Sequence, residues 1–155
     1  MRILLPVLAA IVLLIQGACQ EPSFEKQLKL DTEIIEEYIA DNNLQGQWTE
    51  AGNYYVVDKA GDGTTYPQFF STVQVVYTGT LLADGTEFDS SDGFPVPFEL
   101  GRVVTGFRDG LMQFSEGGRG TIIIPSPYGY GNNGTPSIPG KSILRFDITL
   151  TDVVN

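Results

Sequence analysis

The chain has 155 residues, 42% of them hydrophobic, enough for one domain with its own core and a short appendage. Nineteen acidic side chains against nine basic ones give a net charge of −10, so the basic footprint that a phosphate backbone needs is missing and no nucleic-acid partner is expected. With no histidine and a single cysteine, His-based acid/base chemistry, Ser-His and Cys-His dyads and the usual zinc ligand sets are excluded, and neither a metal nor a cofactor is expected.

At the N-terminus, Arg2 is followed by the apolar run ILLPVLAAIVLLI, which has the length of a secretory h-region and is short for a spanning helix. Gly17 and Ala18 then precede Cys19, a lone cysteine with no intramolecular disulfide partner. Cys19 could stand near a cleavage site by chance. The segment nevertheless resembles a bacterial lipoprotein signal, residues 1–18, in which the cysteine becomes the acylated first residue of the mature chain. Gln16 departs from that pattern, which has Leu or a similar residue there. Gln20, rather than Asp, after the cysteine implies the outer membrane by the sorting rule of such lipoproteins. The resemblance thus implies a lipid-anchored protein of the bacterial cell envelope, since several acyl chains anchor stably where one does not.

Residues 19–47 read as a polar tether, QEPSFEKQLKL, followed by a helix over LDTEIIEEYIADNN. Asp31 is the expected N-cap, Leu30 and Ile35 are placed for a hydrophobic staple, and Ile34, Ile35, Tyr38 and Ile39 share a stripe that Asn42 and Asn43 end. A helix packed on its own domain implies a monomer; a dimer contact through the stripe is the alternative. From Trp48 onward the period changes to two, opening a domain over residues 48–155. Tyr54 to Val57 is a strand, and Val73–Leu82 with Thr86–Ser90 form a hairpin around Asp84-Gly85. Phe107, Gly110, Leu111 and Phe114 have the spacing of a short helix, stopped by Gly117-Gly118. RGTIIIP reads as a buried strand ending at Pro125, and Ser126 to Gly140 as a glycine- and proline-rich loop. In the last strand Leu144, Phe146, Ile148 and Leu150 face inward while Arg145, Asp147, Thr149 and Thr151 face outward. The pattern is α+β: an antiparallel sheet with one short helix.

The hairpin raises the functional question, because it gathers Tyr77, Phe88 and Asp89. Aromatics beside one solvated acid are ordinary core packing, or one wall of a pocket for an apolar ligand. The ordered series VYTG, FDSS, FELG, VVTGF, IPSPYGYG, SIPG and LRFDITL, from about residue 70 to residue 153, resembles the FKBP-type peptidyl-prolyl isomerases. The resemblance implies a twisted antiparallel sheet wrapped around a short helix, with an N-terminal helical extension and a prolyl pocket between sheet and helix. It makes Tyr77 and Phe88 pocket-wall aromatics and Asp89 the pocket acid, with Phe98 before a Leu-Gly pair. It further makes Val103 and Val104 an aliphatic pair whose second member offers a backbone N–H, Tyr130 the loop tyrosine that reaches a substrate carbonyl, Ile138 the loop aliphatic residue and Phe146 the last-strand aromatic. Two positions depart: Phe107 stands where many members have tryptophan, and Val96 where some have phenylalanine, so a pocket of altered depth is expected.

The activity so implied is acceleration of X-Pro bond rotation in folding envelope or secreted proteins. Tyr77, Asp89 and Tyr130 would act on the substrate, while Phe88, Val96, Phe98, Val103, Val104, Phe107, Ile138 and Phe146 would bind it. Implied partners are proline-containing polypeptides, a macrolide of the tacrolimus type, and the membrane through lipidated Cys19. Asp89 has two readings, ordering the pocket or touching the twisting carbonyl. The alternative function is a module that binds proline-containing segments with little catalysis; a structural envelope lipoprotein with a vestigial pocket is a third reading.

Overall fold

A computed structural model describes residues 22–155; the expected signal, residues 1–18, and Cys19 lie outside them. Helix α1, Phe24–Asp41, is followed by strands β1 (Gln47–Trp48), β2 (Tyr54–Lys59), β3 (Thr72–Leu81), β4 (Glu87–Ser90) and β5 (Val96–Glu99). Helix α2 (Thr105–Leu111) and strands β6 (Arg119–Ile124) and β7 (Leu144–Val154) follow, with short 3-10 turns at Leu100–Arg102 and Ser126–Tyr128. The sheet runs β1-β2-β6-β7-β3-β4, with β5 also on β3, and every pairing is antiparallel. β4 takes the C-terminal half of β3 (Thr78↔Ser90) and β5 its N-terminal half (Val73↔Phe98), so one strand serves two short partners along the same edge. The expected α+β sheet around a short helix, with a helical extension, is the observed architecture.

Both faces are covered at β6, which explains the uninterrupted apolar run in that strand. Ile122 and Ile124 join the main core with Leu111, Phe114, Leu144 and Ile148, under α2. Ile123, pointing the other way, packs with Ile35, Tyr54, Leu82 and Ile143 under α1. α2 lies close on β6 because Gly110 has no side chain: a Cβ there would run into Ile122. β7 keeps the expected alternation, with Leu144, Phe146, Ile148 and Leu150 buried.

Three boundaries differ from the sequence reading. α1 begins at Phe24 with Ser23 as its N-cap, whose hydroxyl accepts from the Lys26 N–H at 3.3 Å, so most of the supposed tether is helix. Asp31, expected to cap, sits mid-helix and is buried, because its carboxylate is committed to a partner far along the chain. Of the expected stripe, Ile35 is fully buried, whereas Ile34 is exposed. α2 starts two residues before Phe107 and its regular turns end at Leu111, yet Phe114 is still buried in the core. Finally β5, unrecognised in sequence, forms on β3 with Pro97 opposite Gln74; proline is tolerated there because β5 is an edge. In the hairpin only Gly85 of the Asp84-Gly85 pair has positive φ, at 73°, while Asp84 accepts from the Thr86 N–H at 2.9 Å.

Candidate active site

β3 carries Tyr77 one pleat from Gly79, and these two residues set the site. Tyr77 is opposite Ile148 and Gly79 opposite Phe146, so the β3–β7 register delivers the Phe146 ring beside the Tyr77 ring, centroids 6.2 Å apart. β4, on the other side, brings Phe88 to Phe146 edge-on at 5.5 Å. A Cβ on Gly79 would lie 2.7 Å from Phe88 and 2.9 Å from Phe146; the absence of a side chain is what lets the two rings converge over the strand. β5 adds Phe98, and α2 raises Phe107 into the centre, 4.7 Å from Phe146, 5.5 Å from Phe98 and 6.3 Å from Tyr77. The rings meet edge-on or tilted, as aromatic quadrupoles favour.

These side chains line a cavity of about 620 Å³ together with Asp89, Val103, Val104 and Tyr130. Thr72, Pro97, Glu99 and Arg102 extend the wall and were not singled out in sequence; the opposite charges of Glu99 and Arg102 at i,i+3, paired at 3.0 Å, were the available signal. Val96 and Ile138 do not line it. Val96 pairs with Val75 and packs against the core, and Ile138 is 3% exposed within the same core, in a bridge with Thr135.

The polar groups are few and converge. The Tyr77 hydroxyl donates to Asp89 Oδ2 at 2.8 Å. Burial, then this hydrogen bond and the carboxylate's charge, push the Tyr77 hydroxyl well above the usual tyrosine range, so it stays a donor. Tyr130 stands at the cavity with 39% of its surface exposed. Val104 precedes α2 in an extended conformation, its carbonyl taken by the Phe107 and Arg108 N–H groups. No group of three or more His, Cys, Asp or Glu residues that could hold a metal occurs among the described residues. An aromatic slot with the Tyr77–Asp89 pair and the Tyr130 hydroxyl at its wall, beside Thr72 and the Glu99–Arg102 pair, can hold a small apolar ring, exclude water and orient a neighbouring polar group.

The family model for FKBP-type peptidyl-prolyl cis-trans isomerases matches residues 63–151, which include every one of these site residues. The chain belongs to that family. Among its relatives, FkpA of Escherichia coli is 36% identical over 147 residues, covering 84% of this chain and 54% of FkpA. The peptidyl-prolyl cis-trans isomerase Fkbp12 of Drosophila melanogaster is 45% identical over 98 residues, 60% of this chain and 90% of its own. A solved peptidyl-prolyl cis-trans isomerase from Pseudomonas syringae superposes with a TM-score of 0.70 at 27% identity, over 88% of this chain and 99% of that one. The chain spans about half the length of the FkpA relatives it matches, 43% of the Buchnera aphidicola protein and 54% of that from Escherichia coli.

Proposed function

We propose that this FKBP-family chain is a peptidyl-prolyl cis-trans isomerase, acting on X-Pro bonds of polypeptides that fold in the bacterial envelope. The observation that carries the reading is the aromatic slot around Phe107, closed at one side by the Tyr77–Asp89 pair and overhung by Tyr130. Rotation about an X-Pro bond breaks amide resonance against a barrier of roughly 18–20 kcal/mol, and no covalent bond is cleaved. A histidine-free site is therefore sufficient. Phe88, Phe98, Phe107 and Phe146 hold the pyrrolidine ring and remove water from the amide. Water's hydrogen bonds favour the planar, charge-separated amide, whereas the twisted transition state has lost that separation. A dry slot thus lowers the barrier by binding the twisted state in preference to the planar one. Tyr130 donates to a substrate carbonyl, and the Val104 N–H to another, which fixes orientation. Asp89 orders the Tyr77 hydroxyl at the wall of the slot. The same surface accommodates a macrolide of the tacrolimus type.

The decisive experiment is cis-to-trans relaxation of short X-Pro peptides, followed without a coupling protease. The purified chain should accelerate it, and Tyr130→Phe and Asp89→Ala should each reduce kcat/KM by about tenfold, the loss of one oriented polar contact. Binding without acceleration would move the assignment to a module that holds proline-containing segments.

The protein further fits a monomeric lipoprotein of the outer membrane, with residues 1–18 as its signal and Cys19 acylated. Fatty-acid labelling of the chain in a bacterial host should be lost on Cys19→Ser; persistent labelling would rule out that attachment.

A further inference from the structure

The helical extension reaches into the active-site loop through one buried carboxylate. Asp31 is 1% exposed, and its Oδ2 accepts two hydrogen bonds from Ser126, from the N–H at 2.7 Å and from the hydroxyl at 2.6 Å. Its Oδ1 accepts from the Gln27 side-chain amide at 2.6 Å, one helical turn back. Ser126, itself fully buried, is the anchor of the turn that follows β6: its carbonyl accepts from the Gly129 N–H at 3.1 Å and the Gly131 N–H at 2.8 Å, the two residues that flank Tyr130. The same turn is pinned twice more. Phe24 of α1 meets the Tyr128 ring edge-on at 5.4 Å, and the Thr105 hydroxyl at the start of α2, next to Val104, donates to the Tyr128 carbonyl at 3.3 Å.

A buried carboxylate whose only task was to fasten a helix could be satisfied anywhere on the sheet. This one is satisfied entirely by its helix neighbour and by the residue that determines where Tyr130 stands. We propose that Asp31 is a positioning residue for the prolyl site: from α1, through Ser126, it fixes the turn that carries Tyr130 at the cavity and so sets substrate orientation. The proposal rests on the isomerase reading above for its effect on turnover, but the mechanical link from Asp31 to Tyr130 does not. Replacing the carboxylate by an amide keeps the shape but exchanges the charged acceptor that serves Ser126 for a weaker neutral one, and the Gln27 amide must turn over to accept from the new donor.

The test is a double-mutant cycle on the intact chain, Asp31→Asn with Tyr130→Phe, read by peptide relaxation and by the ring signals of 13C-labelled tyrosine. Asp31→Asn alone should lower kcat/KM by about tenfold, and by less than about twofold when Tyr130 is already phenylalanine, because positioning is worthless without the hydroxyl it positions. The Tyr130 ring signals should shift or broaden while those of Tyr77 stay. An equal fold-loss in both backgrounds, or unchanged Tyr130 signals, overturns the proposal. If the parent chain does not accelerate isomerisation, the isomerase reading fails and the tyrosine signals alone decide, by the same criterion. Should Asp31→Asn not fold, Ser126→Ala, which removes the hydroxyl donor and leaves the backbone contact, replaces it in both readouts with the same pattern expected at smaller amplitude.

Discussion

The smallest residue at the site constrains it as tightly as the largest. Gly79 is in a strand interior, where glycine ordinarily weakens pairing, and its position is explained by the Phe88 and Phe146 rings that occupy the space a Cβ would take. Both obstructing groups are side chains, so an added methyl is accommodated by moving rings rather than backbone. Gly79→Ala is expected to cost about 1–3 kcal/mol in a urea titration, as overpacking does. Because the displaced rings are the walls of the slot, turnover should fall by about tenfold or more, measured at a temperature where the variant is fully folded. Wild-type turnover would mean that the ring positions do not matter for the reaction. Phe107 is the complementary case: a single ring meets those of Tyr77, Phe98 and Phe146 at once, so its removal would open the centre of the slot.

Among the elements, those whose identity is local were legible and those defined by a distant partner were not. β7 alternates cleanly because only one of its faces is in the core, and the α2 residues Phe107, Gly110 and Leu111 recur at helical spacing. β5 has four residues with a proline among them, too short to show a period, and it is a strand only because β3 lies alongside. The start of α1 was misplaced because Asp31 has the chemistry of a cap, whereas its actual donors are Gln27, one turn back, and Ser126, 95 residues away. The site divides in the same manner. Tyr77, Phe88, Asp89, Phe98, Val103, Val104, Phe107, Tyr130 and Phe146 were named from motif order and all line the cavity. Thr72, Pro97, Glu99 and Arg102 were not, since three of the four depend on β5 or on its pairing with β3.

At the scale of the whole molecule, stability inherits its alkaline limit partly from the site. Tyr77 has its hydroxyl held above the usual tyrosine value by burial and by Asp89, so the folded state keeps a proton that the unfolded chain releases near pH 10. The contribution is fully present below that pH and is lost as pH rises beyond it. Urea midpoints taken at about pH 8 and about pH 11 should fall further for the wild type than for Tyr77→Phe. An equal fall in both would show that Tyr77 ionises like an exposed tyrosine.

The sheet order has a consequence for how the chain comes together in time. β7 lies between β6 and β3, so the seam with β6 and the seam with β3 both wait for the strand that comes last in chain order among those described. Until it arrives, β3 and β6 each present an open backbone edge, and the aromatic slot lacks Phe146. Within the sheet, β1-β2-β6 and β3 with β4 and β5 are joined only through β7, so the joined sheet and the completed pocket appear in a single step when that strand docks.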